Sequence, residues 1–337
     1  MRLQAIGFFR RIFKSGSVML AIILYLLMFG IYVAYEPSSL SVFGLTNLLN
    51  NTVVLALAAA GLTFVIISAE FDLSSVGVIA ITNVLVATIS TSIPGGAFTA
   101  LLLCCAIGLA VGFINGWLVA RVGLQSLACT LGTMIMCQGV ALLMLAAPGG
   151  DVAPFIMDRL TDVVFSAIPV SALIIAATCL VWLYIKRTRI GVALYAVGSD
   201  IDAARLSGLN TAKTKLFAFC IAGLFYGLAG YMLSAQIGTG DPRVSSSFLL
   251  FVFASVAIGG TALTGGIGGV IGSVVGAGIL TVMQKMLFAL GVAEFYTNIF
   301  NGAVMIVAVV LGNVPQLVQR YLKSIAEPVG NAHLRNR

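Results

Sequence analysis

Runs of about 18–25 mostly apolar residues recur along the chain, each long enough to cross the hydrocarbon core of a bilayer. About ten are countable, at 17–35, 50–67, 76–93, 98–120, 126–147, 166–185, 215–237, 249–261, 267–290 and 298–314. The eighth is short, and the intervals around it are tight. This pattern predicts an all-α polytopic membrane protein of about ten transmembrane helices. The first run is too long for the core of a signal peptide and lacks a cleavage pattern, so it reads as the first span. The longest polar interval is 187–215. It contains a short helix signal, with Ser199 as N-cap candidate and Asp200 and Asp202 supplying negative charge in the first turn. Ala203, Ala204, Arg205 and Leu206 are good helix formers, and Gly208 is a stop. Asp202 and Arg205 share one face, with Ala203 and Leu206 roughly opposite. Such a helix either docks into a soluble partner or lies on the lipid headgroups.

Charge gives the apolar runs a direction. With the N-terminus inside, Arg2, Arg10, Arg11, Lys14, Arg121, Lys186, Arg187, Arg189, Arg205, Lys213, Lys215, Arg320, Lys323, Arg335 and Arg337 all fall on the cytoplasmic side. Only Arg159 and Arg243 fall outside, and Lys285 lies within the ninth run near its outer end. Short basic loops stay cytoplasmic, so both termini are expected inside. The outer intervals are acidic: Glu36, Asp151, Asp158, Asp162, Asp241 and Glu294. The longest of them, 148–165, contains Pro148, Gly149, Gly150 and Pro154 and has room for a short surface helix over 155–164. The resulting division is a cytoplasmic N-terminus 1–16, a membrane domain 17–314 with a cytoplasmic loop 186–214, and a cytoplasmic tail 315–337.

Composition narrows the chemistry. The 337 residues are 60% hydrophobic and 9% charged, with one His, and the mean hydropathy is +1.12. Little remains for polar catalysis, and neither H-E-x-x-H nor G-x-S-x-G occurs. No catalytic, cofactor-binding or metal-binding residues are expected. The net charge of +7 is explained by the topology rule and does not call for nucleic acid. Cys104, Cys105, Cys129, Cys137, Cys179 and Cys220 all lie in apolar runs without a C-x-x-C pair, which marks them as reduced packing residues.

Small residues mark close helix approach. Gly108, Gly112 and Gly116 recur every fourth residue, as do Gly268, Gly272 and Gly276. Such stripes let helix backbones pack, most simply within one subunit. The stretch 259–269, GGTALTGGIGG, suggests a tight bend where helices meet. It is not a P-loop, and no P-loop occurs in the chain, so any ATP would be bound by another polypeptide. Glu70 and Asp72 stand close to membrane depth, where an ionisable group is first read as functional. One reading is an ion or proton relay. The other, which the topology favours, is a cytoplasmic turn in which Asp72 caps the helix beginning near Ser74.

Four stretches occur in a set order: LALAAAGLTFVIISAEFDLS (55–74), GFINGWLVARVGLQSLACTLG (112–132), RTRIGVALYAVGSDIDAARLSGLN (187–210) and FASVAIGGTALTGGIGGVIGSVVGA (253–277). Together they resemble the membrane permease subunit of bacterial ribose-type sugar ABC importers, over roughly residues 40–312. Ala69, Glu70 and Phe71 stand where that family has Gly-Gly-Ile, Gly77 sits one place later, and Gln125 stands where it has Pro. The resemblance implies a multi-pass inner-membrane permease that pairs with a second copy or a homologous permease. It also implies a cytoplasmic ATPase that binds ATP and Mg, a periplasmic sugar-binding protein, and surrounding membrane lipid. The family's coupling helix corresponds to Ser199, Asp200, Ile201, Asp202, Ala203, Ala204, Arg205, Leu206, Ser207, Gly208 and Leu209, which decides between docking and lying idle in favour of docking. Thr82, Asn83, Asn115, Thr130, Thr133 and Gln138 are the candidates for lining the translocation path, each with a helix–helix hydrogen bond as its simpler role. Two alternatives stay open: a branched-chain amino acid permease, and a secondary transporter using Glu70 or Asp72 as an ion site.

Overall fold

The computed structural model describes residues 2–165, 167–244 and 246–292, together with Tyr296, Ile299, Phe300, Gly302, Ala303 and Ile306. Glu294, the tail 315–337 and most of the predicted tenth span lie outside the described residues. The chain is mostly helical. In order it forms α1 (Arg2–Tyr35), a 3-10 turn (Pro37–Leu40), α2 (Val42–Ile67), α3 (Ser75–Ile89), α4 (Gly96–Trp117) and α5 (Ser126–Met144). Then follow α6 (Pro154–Thr161), a two-residue antiparallel pair β1 (Val163–Val164) and β2 (Ile168–Pro169), and α7 (Val170–Lys186). The remainder is α8 (Arg189–Ser199), α9 (Ile201–Leu206), α10 (Thr211–Ile237), α11 (Ser246–Ile258) and α12 (Val270–Ala289).

Six of these helices are long and apolar enough to cross a membrane, and α7 with α8, bent by 79°, forms a possible seventh span. The third predicted span is too short to cross by itself, and the eighth is as short as the sequence suggests, the 13 residues of α11. The 15 residues of α3 reach roughly 22 Å at 1.5 Å per residue, less than a hydrocarbon core. Against the predicted 76–93, α3 stops at Ile89 because residues 90–95 turn. α11 ends at Ile258, where the glycine-rich stretch begins. At the other extreme, α1 continues helically through the basic segment before its apolar part, and α4 runs on through a π-helical turn over Leu118–Val122. The expected surface helix in the 148–165 interval is α6.

α2 sits at the centre. Ser41 caps its start, its hydroxyl accepting from Gly44 N at 3.0 Å. From Thr52 to Ile67 every residue is buried, as expected for a helix apolar on all faces. Around it stand α7, α10, α11 and α12, and α3 packs outside them against α4, α5 and α10. The glycine stripe of α4 faces α10 in the same chain: a Cβ on Gly108 would lie 2.1 Å from Gly223 O, and one on Gly223 would lie 2.0 Å from Gly108 O. Gly272 and Gly276 of α12 meet α11 in the same manner. Both stripes therefore serve packing inside one subunit. The six cysteines are free thiols.

Hydrogen bonds between loops sort the connections into two ends. At one end Gly149 pairs with Gly240, Asp151 N donates to Ala87 O, and Asn50 Nδ2 donates to Thr161 O. At the other, the 68–74 turn, the start of α5, the α7–α10 connection and the 259–269 stretch meet one another.

Candidate functional site

The α7–α10 connection builds a compact structure on the second of these ends. Thr188 caps α8, accepting from Gly191 N at 3.2 Å. Its C-terminal end rests on the C-terminal end of α2, so closely that a Cβ on Gly198 would lie 1.7 Å from Ile67 O. The N-cap of α9 is Asp200, not Ser199: Asp200 Oδ1 accepts from Asp202 N and Ala203 N, each at 3.0 Å. Ser199 instead ends α8 and donates its hydroxyl to Tyr195 O at 2.8 Å. The reason is backbone conformation. Asp200 takes the extended φ/ψ that an N-cap requires, while a helical serine bonds back to the carbonyl four residues earlier.

The stop at Gly208 is as the sequence suggests. Its φ is +79°, Leu209 N donates to Ala204 O at 3.1 Å and Gly208 N to Arg205 O at 2.9 Å, the paired bonds of a Schellman ending. Ala204 is buried against its own chain, whereas Leu206 is 90% exposed beside exposed Ala203. Asp202 and Arg205 approach to 3.9 Å with both side chains largely in solvent, a contact worth only tenths of a kcal/mol at about 0.3–0.5 for such pairs.

The glycine-rich stretch wires this connection to the bundle. Gly266 N donates to Ile67 O at 3.0 Å, the Tyr195 hydroxyl donates to Gly268 O at 2.6 Å, and Gly269 N donates to Thr261 Oγ1 at 3.2 Å. Through these bonds α8, the end of α2 and the start of α12 share one irregular loop.

Against the same loop lies the 68–74 turn. Ala69 has a φ of +62°, a left-handed conformation uncommon for a residue with a side chain; the resemblance puts glycine at this place. Glu70 forms an ion pair with Lys215, both side chains mostly buried. The turn's backbone is held by α5: Phe71 N donates to Ser126 Oγ at 3.3 Å and Leu73 N to Thr130 Oγ1 at 3.0 Å. Asp72 is 1% exposed. Its Oδ1 accepts from Ser74 N at 2.8 Å and Ser74 Oγ at 2.6 Å, just ahead of α3 and not from the first-turn amides of that helix. Ser74 Oγ in turn accepts from Asn115 Nδ2 at 3.0 Å, and Asn115 Oδ1 accepts from the Thr133 hydroxyl at 2.7 Å. Asp72 Oδ2 and the Tyr226 hydroxyl are both buried without a hydrogen-bond partner among the described residues, although they interact electrostatically. Burial pushes the Asp72 carboxyl up to about 6, and the bonds from Ser74 oppose that rise.

Of the residues proposed from the sequence for the path, Asn115, Thr130 and Thr133 thus gather around one turn. Thr82 and Asn83 lie farther along α3. Asn83 Nδ2 donates to Ser234 Oγ at 2.8 Å and to Thr239 O at 3.0 Å, and its Oδ1 accepts from Asp241 N at 2.6 Å. Thr82 donates to Val78 O at 2.7 Å and presses against Gly230. Gln138 is half-buried on α5, apart from both networks. Asn115, Thr130, Thr82 and Asn83 are fully buried, so in this conformation they tie helices together. Sequence reading missed Lys215 as the partner of Glu70, since 145 residues separate them. It also missed Tyr226, whose hydroxyl in an otherwise apolar run was the available signal. Among the described residues this region holds hydroxyls, amides, the buried carboxyl of Asp72 and the mostly buried one of Glu70.

The family model described as branched-chain amino acid transport system / permease component matches residues 44–309. The chain is 32% identical over 286 residues to the ribose import permease protein of Haemophilus influenzae, covering 82% of this chain and 87% of that one. It is 29% identical over 307 residues to the galactose/methyl galactoside import permease of the same organism, covering 85% and 91%. A third relative, the Haemophilus influenzae xylose transport system permease, is 28% identical over 366 residues, covering 88% and 97%. No solved structure matches.

Proposed function

The chain belongs to the family of branched-chain amino acid transport system permease components, and from that premise we propose that it is the permease subunit of an ATP-driven monosaccharide importer. It is a multi-pass protein of the inner membrane and a transport permease, not an enzyme. The observation that carries the substrate class is similarity over more than four-fifths of the chain to permeases for ribose, galactose and xylose. That favours a sugar over the amino acids named in the family's description. A secondary transporter using Glu70 is disfavoured by the ion pair that already engages Glu70 with Lys215.

In this reading the chain has about ten spans, both termini in the cytoplasm, and the domain division 1–16, 17–314 and 315–337. The end that carries α9 is cytoplasmic, and the basic residues clustered there support that orientation. A second copy or a homologous permease completes the path. A cytoplasmic ATPase, holding ATP and Mg, receives the Ser199–Leu209 segment, and a periplasmic binding protein delivers sugar to the opposite end. Motion of α9 passes through α8 to the 259–269 loop and the 68–74 turn, where Asn115, Thr130 and Thr133 converge. Thr82, Asn83 and Gln138 extend the candidate path along α3 and α5. The test is uptake by the reconstituted complex against pentoses, hexoses, polyols and leucine. ATP-dependent uptake of one sugar is expected, and uptake of leucine with no sugar would overturn the reading.

A further inference from the structure

At the end of the bundle away from α9, the last turn of α1, the 3-10 turn, the first turns of α2 and the last turns of α12 enclose a pocket of ≈ 200 Å³. Lys285 reaches into it from α12. A lysine in an apolar helix is expected to have a partner that justifies its placement. Among the described residues Lys285 has only a neutral one, donating to Asn47 Oδ1, and forms no ion pair. An ammonium has three donors, so two remain. Ser39 lines the same pocket; it is 5% exposed and its Oγ is buried without any hydrogen-bond partner. A buried hydroxyl left unsatisfied is costly and calls for an occupant. Glu36, half-buried, stands at the edge and accepts from Ser38 Oγ, another lining residue. The pocket therefore presents a cation and an unused hydroxyl, with a carboxylate beside them.

Its setting points to the kind of molecule that fills it. Only 6% of the Val18–Tyr35 window of α1 is buried, so the pocket opens beside an apolar helix that the rest of the chain leaves almost uncovered. Phe43, which also lines it, is 81% exposed, with Leu40 and Val42 exposed next to it, a surface suited to acyl chains. Tyr32 and Tyr35 stand at the level where tyrosines favour the membrane–water boundary.

We propose that this pocket binds the headgroup of an amino-bearing phospholipid, with its phosphate on Lys285 and Ser39 and its ammonium on Glu36. The experiment is native mass spectrometry of the full-length permease, delipidated and titrated with short-chain phosphatidylethanolamine, phosphatidylglycerol or inorganic phosphate. Wild type is expected to retain phosphatidylethanolamine several-fold better than phosphatidylglycerol. Lys285→Gln should lose most of that retention, and Glu36→Gln should remove the preference while leaving binding. Ser39→Ala, a smaller change at the same pocket, should weaken retention and provides the test if Lys285→Gln does not fold. Equal or better retention of phosphatidylglycerol by wild type would overturn the assignment. So would unchanged retention in both pocket variants, or displacement of the lipid by inorganic phosphate alone, which would mark a free-anion site.

Discussion

Asp72 offers the sharpest physical test of the turn beneath the coupling segment. Its carboxyl is raised from 3.8 to about 6 because burial disfavours the charged form. That difference corresponds to about 3 kcal/mol, at roughly 1.4 kcal/mol per tenfold change. The sign follows from proton counting. Between the two values the folded chain still holds a proton that the unfolded chain has released, so stability falls as pH rises through this window. The full cost is present above about pH 6, and none is present below about pH 4. Between about pH 5 and about pH 7.5 the group should cost the wild type roughly 1.4 kcal/mol.

Asp72→Asn removes the charge and keeps one oxygen for Ser74 N and Ser74 Oγ. Its amide can also donate to the unpartnered Tyr226 hydroxyl. The variant should therefore lose this component of the pH dependence and be more stable than wild type near neutral pH by about 1–3 kcal/mol. Asp72→Ala also loses the charge but leaves the Ser74 groups and Tyr226 unsatisfied, so it should fall about 1–3 kcal/mol below the Asn variant at every pH. Thermal unfolding in detergent over this pH range measures all three. An Asn variant with the same pH slope as wild type would refute the argument.

Three further outcomes are expected. Glu70→Gln strands a mostly buried ammonium on Lys215, so it should lower stability by about 1–3 kcal/mol, while Glu70→Gln with Lys215→Met recovers it; ATP-driven uptake per folded molecule should survive in both, as uptake assays with quantified protein would reveal. Leu206→Asp should abolish co-purification of the ATPase and substrate-stimulated ATP hydrolysis, whereas Arg205→Ala should leave both near wild type; Gly208→Val, forced to a positive φ at a cost of about 1–2 kcal/mol, should resemble Leu206→Asp. In a cysteine-free background, Ser199→Cys should label only from the cytoplasmic side and Asp158→Cys only from outside, and labelling of Ser199→Cys in intact cells would reverse the orientation.

Much of the helical architecture was legible because apolar length and the period of glycine report directly on spans and seams. The run at 50–67 became the buried centre, and Gly108 and Gly112 found α10. Sequence patterns failed where backbone detail decides. Ser199 and Asp200 are both good cap residues by type, and only the extended φ/ψ at Asp200 selects it. Burial of Ala204 was not legible for a related reason: six residues make too short a helix for periodicity to show which side meets the bundle. The pairing of Glu70 with Lys215 and the electrostatic contact of Asp72 with Tyr226 could not be assigned from spacing, since each joins residues brought together only by packing of α10.

The glycine contact between α4 and α10 bears on what can move. Where backbone lies directly on backbone, no rotamers exist to exchange, and any slide drives a carbonyl into its neighbour. The seam has one register and no graded series of others. During a transport cycle these two helices must therefore travel as one body. Rearrangement is left to boundaries cushioned by longer side chains, among them the largely uncovered α5, which carries Thr130 and Thr133. Filling the notch with a methyl group would not lubricate the joint; it would split the moving part in two.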